Sequence, residues 1–296
     1  MRSYRCLACA GAAREERAAP FEIAFAGEHG IELRQTLTNL IDLWTYFFPA
    51  ALLVGTVFFM RDATVPGTDL SLGARTLAST LGMGLAFAGI LTVATLLVTD
   101  REDGTLLRAK ATPNGIAGYL VGKLVLVGGM AAISLVLQVV PSLFVVDGMQ
   151  VDTAGWFTLC WLVPLGFAAT IPLGAVFGSL LENPRNIGLL MLPLGGLVAI
   201  SGIFYPISGM PGWLHGVAQV FPVYWLGLGM RSVFLPDAMA AVELGGSWRH
   251  LETFGVLALW AVLGLALAPV MLRRMARRES GSAVAARREK AMTRIG

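Results

Sequence analysis

The residues best suited to chemistry lie in one short segment, Val98–Pro113, which reads VTDREDGTLLRAKATP. It holds three acids, three bases, one glycine and a closing proline between two long apolar runs. Gly104 permits a sharp turn, and Thr105 can cap a following helix by accepting a hydrogen bond from its first-turn amides. The residues Leu106–Ala111 favour helix, and Pro113 ends it. The pattern predicts a helix of one to two turns, roughly 10 Å long at 1.5 Å per residue.

The chemistry that this segment offers is docking rather than catalysis. Acidic side chains lie before the predicted helix, basic ones lie within it, and Leu106 and Leu107 can enter the groove of a partner. Because the helix is joined at both ends to long apolar runs, it can move only if they move. A solvated loop without a partner is the alternative that the residues alone leave open.

Other reactive patterns are missing from the sequence. The stretch nearest to a G-x-x-x-x-G-K-[ST] phosphate loop, GYLVGKL at Gly118–Leu124, has the wrong glycine spacing and lacks the Ser or Thr that binds Mg²⁺. Gly118 and Gly122 instead fit a small-xxx-small contact between membrane helices. Cys6 and Cys9 have no second pair for a zinc site. The three histidines, His29, His215 and His250, also lack ligand or triad partners. We therefore expect no catalytic site, metal or cofactor on this chain.

The elements that must position the charged segment are membrane helices. Of the 296 residues, 56% are hydrophobic and 14% are charged, and the mean hydropathy is +0.70, whereas a soluble domain has roughly 25% charged residues. The charges lie between apolar runs of about 18–30 residues, the length that a helix needs to cross a bilayer core. We predict an all-α integral membrane protein with six transmembrane helices, at Leu40–Met60, Thr76–Val98, Ile116–Val146, Trp156–Leu181, Ile187–Phe204 and Thr253–Leu272.

The distribution of Lys and Arg predicts the orientation of these helices in the cell membrane. With both termini in the cytoplasm, four of the 22 basic residues face outward: Arg61, Arg75, Arg231 and Arg249. Val98–Pro113 is then cytoplasmic, between the second and third spans. We expect a cytoplasmic tail at 1–30, a transmembrane domain at 31–274 and a basic cytoplasmic tail at 275–296. Glu32–Asp42 predicts an amphipathic helix in the inner interface, with an extension of the first span as the alternative.

One more apolar segment, Pro211–Leu235, is interrupted by Pro222 and several glycines. A seventh crossing there would place the basic C-terminal tail outside, against the positive-inside rule. We predict a broken, re-entrant helical hairpin on the outer side, before the sixth span. Its aromatic residues Trp213, Tyr224 and Trp225 would lie at the level of the lipid headgroups. An ordinary packed loop is the alternative.

The predicted spans contain almost no ionisable groups. Carriers coupled to protons or sodium generally need a buried carboxylate or an unwound helix at mid-membrane, and the sequence shows no such carboxylate. If the chain is a transporter, its energy must therefore come from another chain. The few polar side chains in the spans are candidates for a translocation route, although hydrogen bonding between helices explains them equally well: Thr92, Thr95, Ser134, Gln138 and Thr170.

Two stretches resemble the ABC-2 type transporter permeases. DREDGTLLRAKATPNGIAGYLVGK, from Asp100 to Lys123, is similar to the family's signature, with a mild departure at Lys110–Ala111. The stretch that begins YPISGMPGWL is similar to the family's outer hairpin, and the matching residues are Pro206, Pro211, Trp213, Leu214, Pro222 and Arg231. The likeness covers about Glu32 to Arg274 and is nearest in style to permeases of drug and antibiotic exporters, including the daunorubicin-resistance type.

The resemblance implies a role for the charged segment and a set of partners. The segment would be the coupling helix that seats on a nucleotide-binding subunit, through Arg101, Glu102, Asp103, Gly104, Thr105, Leu106, Leu107 and Arg108. ATP and Mg²⁺ would then lie on a separate ATPase chain, and a second copy of this permease or a paralogue would complete the unit within membrane lipids. We expect export of a hydrophobic or amphipathic small molecule, with no enzyme activity and no nucleic acid involved. Export of a lipid or polysaccharide, or a self-sufficient carrier or channel, are the alternatives.

Overall fold

A computed structural model of the protein describes residues 40–60, 62–64, 71–105, 109, 111, 115–145, 151–181, 184–203 and 210–278. Within these ranges the regular structure is helical, apart from an isolated bridge between Thr64 and Ser71. The chain divides into two compact units, Met1–Tyr46 and Phe47–Gly296, and of the first only Leu40–Tyr46 is described. The predicted interfacial helix before Leu40 and most of both predicted tails lie outside the described residues.

The helices follow one another in a simple order, and we number them along the chain. Helices α2 and α3 are joined by a π-helical turn, Ala88–Thr92, into one continuous helix, Leu72–Glu102. Short 3₁₀ helices lie at Pro184–Ile187 and Asp237–Val242. The α-helices are α1 (Leu40–Phe59), α2 (Leu72–Phe87), α3 (Val93–Glu102), α4 (Gly115–Val145), α5 (Thr153–Leu180), α6 (Gly188–Ile200), α7 (Gly212–Val220), α8 (Pro222–Phe234) and α9 (His250–Arg278).

Four of the helices are long and apolar enough to cross a membrane. They are Leu72–Glu102, Val121–Phe144, Thr153–Leu180 and His250–Met275, and they correspond to the second, third, fourth and sixth predicted spans. The first and fifth predicted spans are also helical, in α1 (Leu40–Phe59, 20 residues) and α6 (Gly188–Ile200, 13 residues). The six-span topology stays a prediction.

Two of the long helices begin after a polar residue whose side chain caps the first turn. Ser71 precedes α2 and accepts a hydrogen bond from the Ala74 amide at 3.3 Å. Asp152 precedes α5 and accepts from the Gly155 amide at 2.7 Å. These caps satisfy amides that have no partner within the helix, so each helix has a defined first turn.

Small residues on α5 allow its backbone to lie directly against the α2–α3 helix. Gly166, Thr170, Gly174 and Gly178 recur every four residues and lie on one helical face. A Cβ on Gly174 would lie 2.5 Å from the Gly89 carbonyl oxygen, and one on Gly178 would lie 2.9 Å from the Ala94 Cα. This is close small-residue packing between membrane helices. Sequence analysis assigned that kind of packing to α4 and did not recognise the stripe on α5.

Helix α8 packs between α2 and α5 and runs antiparallel to both. Near its end, the Arg231 guanidinium donates to the Ser79 hydroxyl in the N-terminal half of α2 at 3.3 Å. Near its start, Val223 and Ile90 line the same cleft. Since Ile90 lies in the π-helical turn near the middle of Leu72–Glu102, α8 extends from one end of the bundle to about its middle. Its 13 residues are roughly 20 Å long at 1.5 Å per residue.

The packing of α8 against α5 has the same antiparallel register. A Cβ on Gly155, in the first turn of α5, would lie 3.1 Å from the Val233 carbonyl oxygen. One on Gly166, further along α5, would lie 2.7 Å from a Leu226 methyl. Helix α8 thus reaches only the middle of the bundle, and the re-entrant topology of this segment stays a prediction.

Candidate functional site

A buried charge pair joins the end of α3 to the start of α4. The Lys123 ammonium lies 2.8 Å from the Asp100 carboxylate, and their side chains are 11% and 16% exposed. The Tyr119 hydroxyl donates to the same carboxylate oxygen at 2.6 Å, and the ammonium also lies 5.5 Å from the centre of the Tyr119 ring. The segment 101–114 therefore connects α3 to α4, and the Asp100 carboxylate holds these two helices together.

The next residue ties α3 to a different helix. The Arg101 guanidinium donates to the Leu181 carbonyl, just beyond the end of α5, at 3.1 Å. That carbonyl belongs to the helix C-terminus, whose last acceptors have no partner within the helix. The base of the charged segment is thus fixed to α4 through Asp100 and to α5 through Arg101. This explains why the helix continues four residues beyond Val98, the end that the sequence predicts for the second span.

Several of the predicted coupling residues lie just past this base. Arg101 and Glu102 form the last turn of α3 and are partly exposed, while Asp103 is exposed. Gly104 has φ +75°, the left-handed backbone that favours glycine, so the predicted sharp turn is present. Thr105 begins helical structure and Ala109 is also helical. Three predicted docking residues lie outside the described part of the chain: Leu106, Leu107 and Arg108.

The five predicted route residues occupy three separate places. Thr92 and Thr95 are exposed on one face of the Leu72–Glu102 helix, and the Thr95 hydroxyl donates to the Leu91 carbonyl at 2.8 Å. Ser134 and Gln138 are half-buried on α4, where the Gln138 amide donates to the Ser134 hydroxyl at 2.9 Å. Thr170 is fully buried against α2–α3 and donates to the Gly166 carbonyl at 2.8 Å. Their role in a route stays a prediction.

Near the C-terminal end of α8, Arg231 is completely buried in an ionic cluster. Its Nε lies 2.9 Å from one oxygen of Glu243, and its Nη2 donates to the other at 3.0 Å. Nη1 donates to the Ser79 hydroxyl at 3.3 Å and to the Gly202 carbonyl at 3.5 Å. The Arg231 side chain is 0% exposed and that of Glu243 is 6% exposed. The cluster therefore joins α8 to α2 and to the 3₁₀ segment that follows it.

A second guanidinium shares the same carboxylate. The Nη2 of Arg75 lies 3.6 Å from Glu243, and the Arg75 side chain is 2% exposed. The charge pattern of the sequence places Arg75 and Arg231 on the outer side of the membrane, and the predicted spans contain no buried carboxylate; both expectations stay predictions. The arginines are buried, and the carboxylate comes from Glu243, outside the predicted spans. Two guanidinium groups and one carboxylate leave these three residues with a net charge of +1, so Glu243 is the member whose loss matters most.

The aromatic residues of the predicted hairpin do not behave alike. Trp213 is 69% exposed on α7, whereas Tyr224 is 0% and Trp225 is 2% exposed on α8. The Trp225 indole donates to the Gln219 carbonyl at 2.6 Å, and the Arg249 guanidinium lies 4.8 Å from the centre of its ring. Tyr224 and Trp225 are therefore packed inside the protein, because α8 is inserted among other helices, and their expected depth at the headgroups stays a prediction.

The prolines of the predicted hairpin mark its helix starts. Pro211 is exposed and precedes α7, while Pro222 is buried at the first position of α8, where proline is tolerated because its missing amide has no helical partner. Phe221 between the two helices is extended, with φ −97° and ψ 149°. Pro206 lies outside the described residues. Within the described part of the chain, no group of three or more His, Cys, Asp or Glu side chains could hold a metal ion.

The sequence as a whole can be compared with known proteins. A family model described as ABC-2 family transporter protein matches residues 63–269, more than half of the chain. The matched range contains both the Asp100–Lys123 pair and the Arg231–Glu243 cluster. A comparison with curated proteins returns no match.

Proposed function

The chain belongs to the ABC-2 transporter family, and we propose that it is the membrane-spanning permease subunit of an ATP-driven exporter. The family assignment makes it a membrane transport component. The finer proposal is that a separate ATPase chain binds ATP and Mg²⁺ and drives this subunit. A second copy of the permease or a paralogue would complete the complex, with both termini of each permease in the cytoplasm.

This proposal rests on the contacts that attach the segment 101–114 to the long helices. Asp100 joins its base to α4 through Lys123, and Arg101 joins it to α5 through the Leu181 carbonyl. A push on the segment by a closing ATPase dimer would therefore reach the continuous α2–α3 helix, α4 and α5 together. A solvated loop without a partner has no need of such an anchored base.

The exported compound that fits this chain best is hydrophobic or amphipathic. The described spans present large exposed apolar side chains, among them Phe144, Phe157 and Leu259, and few polar ones. We expect a drug-like or antibiotic-like molecule, and Thr92, Thr95, Ser134 and Gln138 are among the polar groups available to contact it. Such a molecule partitions into the bilayer, so the permease can receive it there.

The pairing with an ATPase can be tested directly. The tagged permease is expressed with the P-loop ATPase encoded nearest to its gene, purified in lipid nanodiscs, and assayed for co-purification and ATP hydrolysis. We expect a stable complex whose ATPase rate changes when the permease is present. The gene is then deleted and the cells are challenged with a panel of toxic compounds. Absence of any ATPase partner, together with export that continues after ATP depletion, would contradict the proposal.

A further inference from the structure

A cleft of about 450 Å³ opens on the side of the helix bundle, where α6 lies next to α5, α8 and α9. Its back wall is formed by residues that are fully or nearly buried, including Ile90, Leu194 and Val223. Its rim includes the exposed residues Phe177 and Gly196. The tip of the α7–α8 hairpin contributes one wall. The cleft is therefore closed behind and open to the surroundings of the bundle.

The lining of the cleft is apolar throughout. Its one side-chain N–H group, the Trp260 indole, already donates to the Val220 carbonyl at 2.7 Å. A charged or polar group placed here would lose its hydration without gaining a partner, which is unfavourable. The occupant must therefore insert a hydrocarbon part and keep any polar part outside.

The shape of the cleft favours a long, narrow occupant. Lining residues on α6 extend from Leu190 to Ile200, a length of roughly 15 Å at 1.5 Å per residue. Its volume lies within the roughly 300–1,000 Å³ of typical small-molecule pockets. Beside the rim, Leu189 is 61% and Leu192 is 75% exposed, so the mouth of the cleft lies in apolar surface of the kind that faces lipid. Three of its walls come from α2–α3, α5 and α9, which are long enough to cross the membrane.

We propose that this cleft binds one acyl chain of a bilayer lipid, with the headgroup remaining outside. The acyl chain would make dispersion contacts with the walls of the cleft, which have no partner atoms on that side when the cleft is empty. It would also pack against the tip of the hairpin, where the Phe221 and Trp260 rings stack at 6.0 Å. The cleft is then a lipid site that supports the inserted hairpin, and this inference does not depend on the identity of the exported compound.

Two neighbouring glycines provide a matched pair of variants. A Cβ on Gly195 or Gly196 would have no heavy atom within 4 Å, and both residues are exposed on α6. Gly196 lines the cleft and Gly195 does not. Gly196→Trp therefore places an indole in or across the cleft, while Gly195→Trp places the same group on the adjoining surface. Insertion and thermal unfolding of both variants are checked first.

The experiment uses a phosphatidylcholine with a diazirine near the middle of one acyl chain. The full-length protein in nanodiscs is irradiated, and the adducts are located by peptide mass spectrometry. In the wild type we expect adducts on Leu173–Phe177 and Leu190–Ile200 at about ten times the yield on the exposed face of α9, since an enclosed chain stays in contact with its site. Gly196→Trp should lower that yield by about tenfold because the indole excludes the chain, and Gly195→Trp should leave it unchanged.

Three results would overturn the proposal. The first is wild-type labelling spread evenly over all exposed apolar faces, which needs no variant and so remains decisive even if Gly196→Trp does not fold. The second is stronger labelling of the cleft by a diazirine placed on the headgroup than by one placed on the chain. An equal loss of labelling in both tryptophan variants would likewise contradict a site at the cleft.

Discussion

Lys123 lies one turn after Tyr119 on α4, and both side chains meet the same oxygen of Asp100 on α3, at 2.8 Å for the ammonium and 2.6 Å for the hydroxyl. One carboxylate thus joins the two helices between which the coupling segment is held. Because the pair is mostly buried, removing one member leaves a charge that water solvates poorly.

A charge exchange at this pair tests whether it transmits motion. We expect Asp100→Lys and Lys123→Asp each to reduce ATP-dependent export strongly, since each places two like charges side by side. The double exchange Asp100→Lys with Lys123→Asp should recover part of the export, through a coupling energy of about 0.5–3 kcal/mol. The measurement is a double-mutant cycle on export and on thermal unfolding. Strictly additive losses would show that the two residues do not act together.

The buried cluster predicts an order of severity among its variants. Glu243→Ala leaves two buried guanidinium groups, Arg75 and Arg231, without their carboxylate, whereas Arg231→Met leaves Arg75 near Glu243. We expect Glu243→Ala to lower the free energy of unfolding by about 3–5 kcal/mol relative to wild type. Arg231→Met should lower it by less. Thermal unfolding in a mild detergent measures this order.

The control for the cluster is Glu252→Ala. Its carboxylate also pairs with an arginine, Arg249, but it is 51% exposed, so its loss should change stability little. Equal effects of Glu243→Ala and Glu252→Ala would show that burial of the cluster does not govern its energetics.

Close packing at the π-helical turn predicts opposite outcomes for two alanine substitutions. Gly174→Ala would bring a methyl within 2.5 Å of the Gly89 carbonyl oxygen, and overpacking of this kind costs about 1–3 kcal/mol. Gly188→Ala has no neighbour within 4 Å and should be neutral or stabilising, since alanine favours helix by about 1 kcal/mol over glycine. The unfolding midpoint should fall for Gly174→Ala and stay the same or rise for Gly188→Ala, and an equal fall in both variants would contradict the close contact.

Hydropathy alone predicts the four long helices, because an uninterrupted apolar run is a local property of the chain. The turn at Gly104 is also local, since it depends on one residue with positive φ. The partner of Arg231 could not be predicted in this way. Glu243 lies 12 residues later, beyond the end of α8, and counting charges by loop treats both residues as solvent-exposed.

The contact between α5 and the π-helical turn illustrates a different limit. The recurrence of Gly166, Thr170, Gly174 and Gly178 is readable in the sequence, but the same spacing occurs at Gly118 and Gly122. Which face meets another helix depends on the partner. The π-helical turn that receives α5 has no sequence signature of its own. Thr170 shows the consequence, because its type and position in a span suggest a route residue, whereas its side chain lies in a helix contact.

The central proposal, that an ATPase acts on this permease through the charged segment, is tested most directly by reversing the two acids beyond Arg101. The double variant Glu102→Lys with Asp103→Lys is compared with Glu252→Lys, a single charge reversal on α9, in nanodiscs that contain the partner ATPase. The measurement is ATP-dependent export together with stimulation of ATP hydrolysis, at matched levels of inserted protein. We expect the double variant to lose both activities and Glu252→Lys to keep them, whereas wild-type export and stimulation in the double variant would contradict coupling through this segment.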